Sequence, residues 1–115
     1  MVDNSMLEIF KSQTYGQWIE CLRDNQARDR IQMRIMRLAL GNPGHVRNLR
    51  HGVSELKVDI GPGYRVYYLI HGKALVVLLC GGDKASQAKD ITNAYRIADD
   101  WRHSNGAQER ALLPL

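Results

Sequence analysis

Three strands and two tight turns follow one another between Val53 and Cys80, and this run constrains the fold more than any other feature of the chain. In VSELKVDI (53–60), Leu56, Val58 and Ile60 alternate with Glu55, Lys57 and Asp59, the period of a strand with one buried face. Gly61-Pro62-Gly63 continues neither a strand nor a helix and supplies the dihedrals of a hairpin turn. YRVYYLI then returns antiparallel, His71-Gly72 turns again, and KALVVLLC (73–80) follows. That last strand is apolar on both faces, so it belongs at the centre of a sheet with cover on each side. An antiparallel meander is expected, and the rest of the chain must supply the cover.

Helical periodicity supplies it. MLEIF (6–10) reads as a short strand before KSQTYGQWIECLRD, where Tyr15, Trp18, Ile19 and Leu22 recur at helical spacing. Asp24 and Asn25 form a break and cap. QARDRIQMRIMRLALGN then places Ala27, Ile31, Ile35 and Leu38 on one stripe and ends at Gly41 and Asn42, which predicts a helix over roughly residues 26–40. After GGDKASQ, the residues Ala88, Ile91, Ala94 or Tyr95, Ala98 and Trp101 mark a last helix to lie over the second sheet face, with Ser86 as its cap. SNGAQERALLPL shows no period, so 104–115 reads as a flexible tail. The expectation is one α+β domain spanning 1–115: a short N-terminal strand and two-helix hairpin, an antiparallel meander, and a C-terminal helix.

Composition narrows the function classes. Sixteen Lys plus Arg against 12 Asp plus Glu give a formal +4 and a pI near 9.3, which favours polyanionic partners. Cys21 and Cys80 suggest no disulfide framework and read as reduced core residues of a cytoplasmic protein. The longest apolar run, Ala74–Cys80, is far too short for a membrane span. His45, His51, His71 and His103 lack metal-ligand spacing, so neither metal nor cofactor is expected.

The unusual residue is Arg65, set inside an otherwise apolar strand. Alternation puts Arg65, Tyr67 and Leu69 on one face and Val66, Tyr68 and Ile70 on the other. If Lys57 on the neighbouring strand shares that first face, a basic and aromatic patch forms on an open sheet surface, able to hold a phosphate bidentately and to stack or hydrogen-bond a base. Pairing of Arg65 with Glu55 or Asp59 across the hairpin is the competing reading. Lys84 follows the double glycine at the end of the central strand. Arg30, Arg34 and Arg37, at i, i+4 and i+7, form a ridge on the second helix that is either a plain solvated face or an RNA-binding surface. His45 and His51 lie close enough to the sheet in sequence to serve as acid or base, or as ordinary surface histidines.

RIQMRIMRLALGNPG, GVSELKVDIGPGYRVYY and LLCGGDKASQAKDITNA together resemble the addiction-module killer toxins of the RelE/ParE superfamily, in the phage-derived, HigB-like branch. The resemblance runs from about Phe10 to Ala98. It implies a RelE-like fold and a toxin held in check by a cognate antitoxin, of helix-turn-helix type or with an acidic surface. For RelE-like members it implies metal-independent cleavage of mRNA on the ribosome, by attack of a 2′-hydroxyl on the adjacent phosphate. Arg65 matches the phosphate-stabilising strand arginine. Lys57 falls one place from the family's basic strand positions, and Lys84 matches a basic position after the central strand; with Tyr67 from the strand's alternation they make up the expected catalytic set, and the ridge of Arg30, Arg34 and Arg37 the expected RNA contacts. RelE carries several lysines on the preceding strand, where this chain has Leu56 and Val58. ParE-like members imply a different activity, poisoning of DNA gyrase by binding alone, and a relic that keeps only antitoxin binding is a third outcome.

Overall fold

The computed structural model describes residues 6–103 and 113–114. Its elements run β1 (Glu8–Lys11), α1 (Gln13–Cys21), α2 (Asn25–Ala39), β2 (Val46–Asn48), β3 (Val53–Val58), β4 (Tyr64–His71), β5 (Leu75–Asp83), α3 (Gln87–His103) and β6 (Leu113–Pro114). The sheet order is β2-β3-β4-β5-β1-β6. Neighbours pair antiparallel except β1 with β5, which are parallel. The meander is therefore present, with the short β2 added at its outer edge, and β1 is part of the sheet rather than a separate lead-in. Leu113–Pro114 pair with β1, so two residues of the segment read as a tail form an edge strand; positions 104–112 and 115 lie outside the described residues.

Two apolar layers explain why these elements assemble. On one face Leu56, Val58, Val66, Tyr68 and Leu78 pack beneath Tyr15 and Ile19 of α1 and Ala27, Ile31, Ile35 and Leu38 of α2. On the other, Val53, Tyr67, Leu69, Val77 and Leu79 meet Ala94, Ala98 and Trp101 of α3. The stripes read from the sequence form these layers, except that Ala88 at the start of α3 is exposed, and each fully buried Ile or Leu contributes about 1.5–3 kcal/mol. β4 and β5 slip register between Tyr67 and Tyr68: Tyr67 opposes Cys80 while Tyr68 opposes Leu78, which leaves Leu79 as the extra residue of a bulge. Cys80 is buried as expected, but Cys21, the last residue of α1, is exposed and is not a core residue; both thiols are free.

Helix ends follow local chemistry. Ser12 accepts a hydrogen bond from the Tyr15 N–H and donates to the Leu79 carbonyl, which ties the start of α1 to β5. Asp24 accepts from the N–H groups of Gln26 and Ala27 at the start of α2. Ser86 precedes α3 as anticipated, yet its hydroxyl donates to the Asp90 carboxylate instead of accepting from a helix N–H. β5 runs on through Gly81 and Gly82, three residues beyond the strand read from the sequence. A methyl group on Gly81 would fall on the Trp18 ring, and one on Gly82 on the Asp90 carboxylate. The two glycines therefore let α1 and α3 approach this end of the sheet from opposite sides.

Candidate nucleic-acid interface

Strand register brings the site together. β3 and β4 set Lys57 opposite Arg65 and Glu55 opposite Tyr67, so all four side chains share the face on which α3 packs. Gly61 and Gly63 both adopt positive φ, and the Gly63 N–H closes the turn onto the Ile60 carbonyl at 3.0 Å. The Gly63 carbonyl in turn accepts a 2.9 Å hydrogen bond from Arg65 Nη1. Lys84 leaves β5 at the same end and is exposed, its Cβ lying 3.7 Å from where a Gly63 side chain would begin.

The face is not open. α3 covers it, leaving Arg65 only 5% exposed and Tyr67 fully buried, and this overturns the expectation of an accessible basic and aromatic patch. Tyr67 is placed to support the site from behind, where it cannot stack on a base. Its hydroxyl has no hydrogen-bond partner among the described residues, and burial first, then the neighbouring Glu55 charge, holds the phenol well above its ordinary range. Of the two readings of Arg65, pairing with Glu55 is realised: Nε lies 3.8 Å from Glu55 Oε2. That distance is too long for a hydrogen bond, and Arg65 Nε has no hydrogen-bond partner among the described residues.

Glu55 is itself buried and organises its surroundings. Arg47 Nη2 approaches Oε1 at 3.1 Å, and Gln87 Nε2 donates to Oε2 at 2.9 Å. Beyond the first turn of α3 these groups surround a cavity of about 150 Å³ lined by His45, Arg47, Glu55, Lys57, Arg65 and Gln87. Three cations there face one carboxylate, so an anion entering the cavity meets net positive charge. Arg47 and Gln87 were missed in the sequence. β2 is three residues long and shows no period, and the first residue of a helix gives no sign of the sheet end it will reach.

A larger cavity of about 420 Å³ adjoins the first, sharing His45 and Lys57. Arg30, Arg34 and Arg37 all line it, with Met33, Val58 and Asp59. Their roles differ. Arg34 is engaged with the backbone, donating to the carbonyls of Lys57 at 2.9 Å and Pro43 at 3.0 Å, whereas Arg30 and Arg37 are exposed. Lys57 links the two cavities, its Nζ 3.8 Å from Asp59 Oδ1. His51 belongs elsewhere: its ring meets Tyr95 edge-on beside Arg96, Asp99 and Arg102, toward the C-terminal half of α3. The structure thus gathers Arg65, Lys57, Lys84 and the arginine ridge around one end of the sheet, buries Tyr67 beneath them, brings in His45 but not His51 of the two candidate histidines, and adds Arg47 and Gln87.

With this geometry established, known proteins supply a comparison. The family model described as Phage derived protein Gp49-like (DUF891) matches residues 17–100, from α1 almost to the end of α3. An uncharacterized protein of Haemophilus influenzae (strain ATCC 51907 / DSM 11121 / KW20 / Rd) is 40% identical over 94 residues, covering 82% of this chain and 95% of the relative. Both cavities fall within the span matched to the family.

Proposed function

The chain belongs to the family of phage-derived Gp49-like proteins, and from that premise we propose that it is the toxin of a type II toxin–antitoxin pair, a ribosome-dependent endoribonuclease that cuts mRNA without a metal and so inhibits translation. The observation that carries this reading is Arg65, a buried guanidinium that faces the 150 Å³ cavity with Lys57 and Arg47 beside it and whose Nε, though ion-paired with Glu55, has no hydrogen-bond partner among the described residues. A phosphate seated there replaces the long contact to Glu55 with charge-assisted hydrogen bonds, and these strengthen as charge builds on the phosphoryl oxygens. The protein's own cations then do the work that a metal ion would otherwise do. Arg30 and Arg37 hold the flanking backbone along the larger cavity, and Lys84 adds potential at the sheet end. A cognate antitoxin, acidic-surfaced or of helix-turn-helix type, neutralises the toxin in the cytoplasm by covering this surface.

One observation favours a second reading. Glu55 already partners Arg65, Arg47 and Gln87, and Tyr67 is withdrawn from the surface, as suits a protein that acts by binding, including a gyrase poison of the ParE kind. Induced expression followed by primer extension on cellular mRNA separates the two. New internal 5′ ends at the onset of growth arrest, lost in Lys57→Ala, are the expected result. Arrest with intact mRNA and altered plasmid supercoiling would replace cleavage with gyrase binding.

A further inference from the structure

Cleavage by a 2′-hydroxyl needs a group to take its proton, and among the residues around the two cavities one is suited by chemistry and position. His45 lines both the cavity that holds Arg65 and the one bounded by the arginine ridge, so it stands at the border between them. Its backbone is fixed rather than loose, since its carbonyl accepts a 3.0 Å hydrogen bond from the Lys57 N–H and continues the β2–β3 ladder by one residue. Its side chain is 63% exposed, so the ring is available to a ligand, and Nδ1 stands 4.0 Å from Asp59 Oδ2. The carboxylate thus faces Nδ1 and leaves Nε2, the other ring nitrogen, to a ligand. Glu55, the carboxylate of the smaller cavity, has its two oxygens engaged by Arg47 and Gln87.

We propose that His45 is the general base of the cleavage reaction, with Asp59 as its supporting carboxylate; the proposal rests on the cleavage reading above. The neutral imidazole takes the 2′-hydroxyl proton on Nε2 as O2′ bonds to the adjacent phosphorus. The P–O5′ bond breaks, and the leaving oxygen takes a proton from solvent. The imidazolium later returns its proton to solvent, so the balance closes with a 2′,3′-cyclic phosphate and a 5′-hydroxyl as the ends produced. Arg65, Arg47 and Lys57 hold the phosphoryl oxygens throughout.

The test is cleavage of mRNA on purified ribosomes by the intact protein and its His45→Ala and His45→Gln variants, with ribosome affinity and thermal unfolding measured alongside. Both variants are expected to fold and bind as the parent does while cleaving about 100-fold more slowly or worse, and added imidazole should restore cleavage to His45→Ala. Variants that cleave within about threefold of the parent would overturn the proposal and leave the cleavage reading standing. Slower cleavage matched by weaker ribosome binding would also overturn it, reducing His45 to a contact. A parent protein that arrests growth yet cuts no RNA would overturn both.

Discussion

Arg65 and Glu55 are each buried with a charge that the other helps to neutralise, so changing one strands its partner. Arg65→Ala leaves the Glu55 carboxylate dependent on the exposed Arg47 and on Gln87, and is expected to destabilise the protein by about 1–3 kcal/mol while abolishing growth arrest. Adding Glu55→Gln to it should cost less than the sum of the two single changes. Denaturant unfolding of the four proteins checks this, and strict additivity would mean that the pair is not coupled. The alternation of β4 made the shared face of Arg65 and Tyr67 legible in the sequence. Their burial was not legible, because a period of two separates faces without saying which helix lies over each. His45 and Arg47 became neighbours of Arg65 only through pairing with β3, a contact between segments that no local pattern records.

At the scale of elements, the ridge on α2 shows the same limit. Spacing placed Arg30, Arg34 and Arg37 together, and they do line one cavity, but it could not reveal that Arg34 reaches across to two backbone carbonyls. Arg34→Ala should therefore lower stability by about 1–2 kcal/mol, since charged donors to these part-buried carbonyls are worth more than ordinary hydrogen bonds. Arg30→Ala with Arg37→Ala should leave the unfolding temperature unchanged and reduce the slope of log affinity against log salt for single-stranded RNA by about 1.4, because each phosphate that an arginine neutralises adds about 0.7 to that slope. A salt titration of RNA binding on the double variant decides whether the ridge is an RNA-binding surface or a solvated helix face. The helices themselves were the most legible part of the chain because amphipathic stripes are local, although the cap read at Ser86 is not formed. The continuation of β5 through Gly81 and Gly82 was not, because its cause lies in Trp18 and Asp90, far away in sequence or on another element.

Considered whole, the molecule buries several weak acids in neutral form. Burial holds the Tyr15 and Tyr67 phenols above their ordinary range, and burial followed by Asp90 pushes the Cys80 thiol up to about 12. In the unfolded chain these groups ionise near their ordinary values of 9.0 for the thiol and 10.0 for the phenols. Their contribution is fully present below about pH 9 and is lost as the pH rises, by up to about 1.4 kcal/mol per unit for each group. Unfolding midpoints in denaturant should hold steady to about pH 9 and fall steeply above it, with ionisation of the buried tyrosines appearing only as helical circular dichroism disappears. Ionisation of those tyrosines while the dichroism stays constant would contradict this. The parallel pairing of β1 with β5 bears on how the molecule comes into being. Glu8 lies against Leu75, while every residue around the smaller cavity falls between His45 and Gln87. As the chain leaves the ribosome, the meander can close hairpin by hairpin, but β1, synthesised first, has no edge to join until β5 has emerged. Between the synthesis of β1 and that of β5 the nascent chain therefore carries a strand without its sheet neighbour, and the two join only once the whole meander between them has been made.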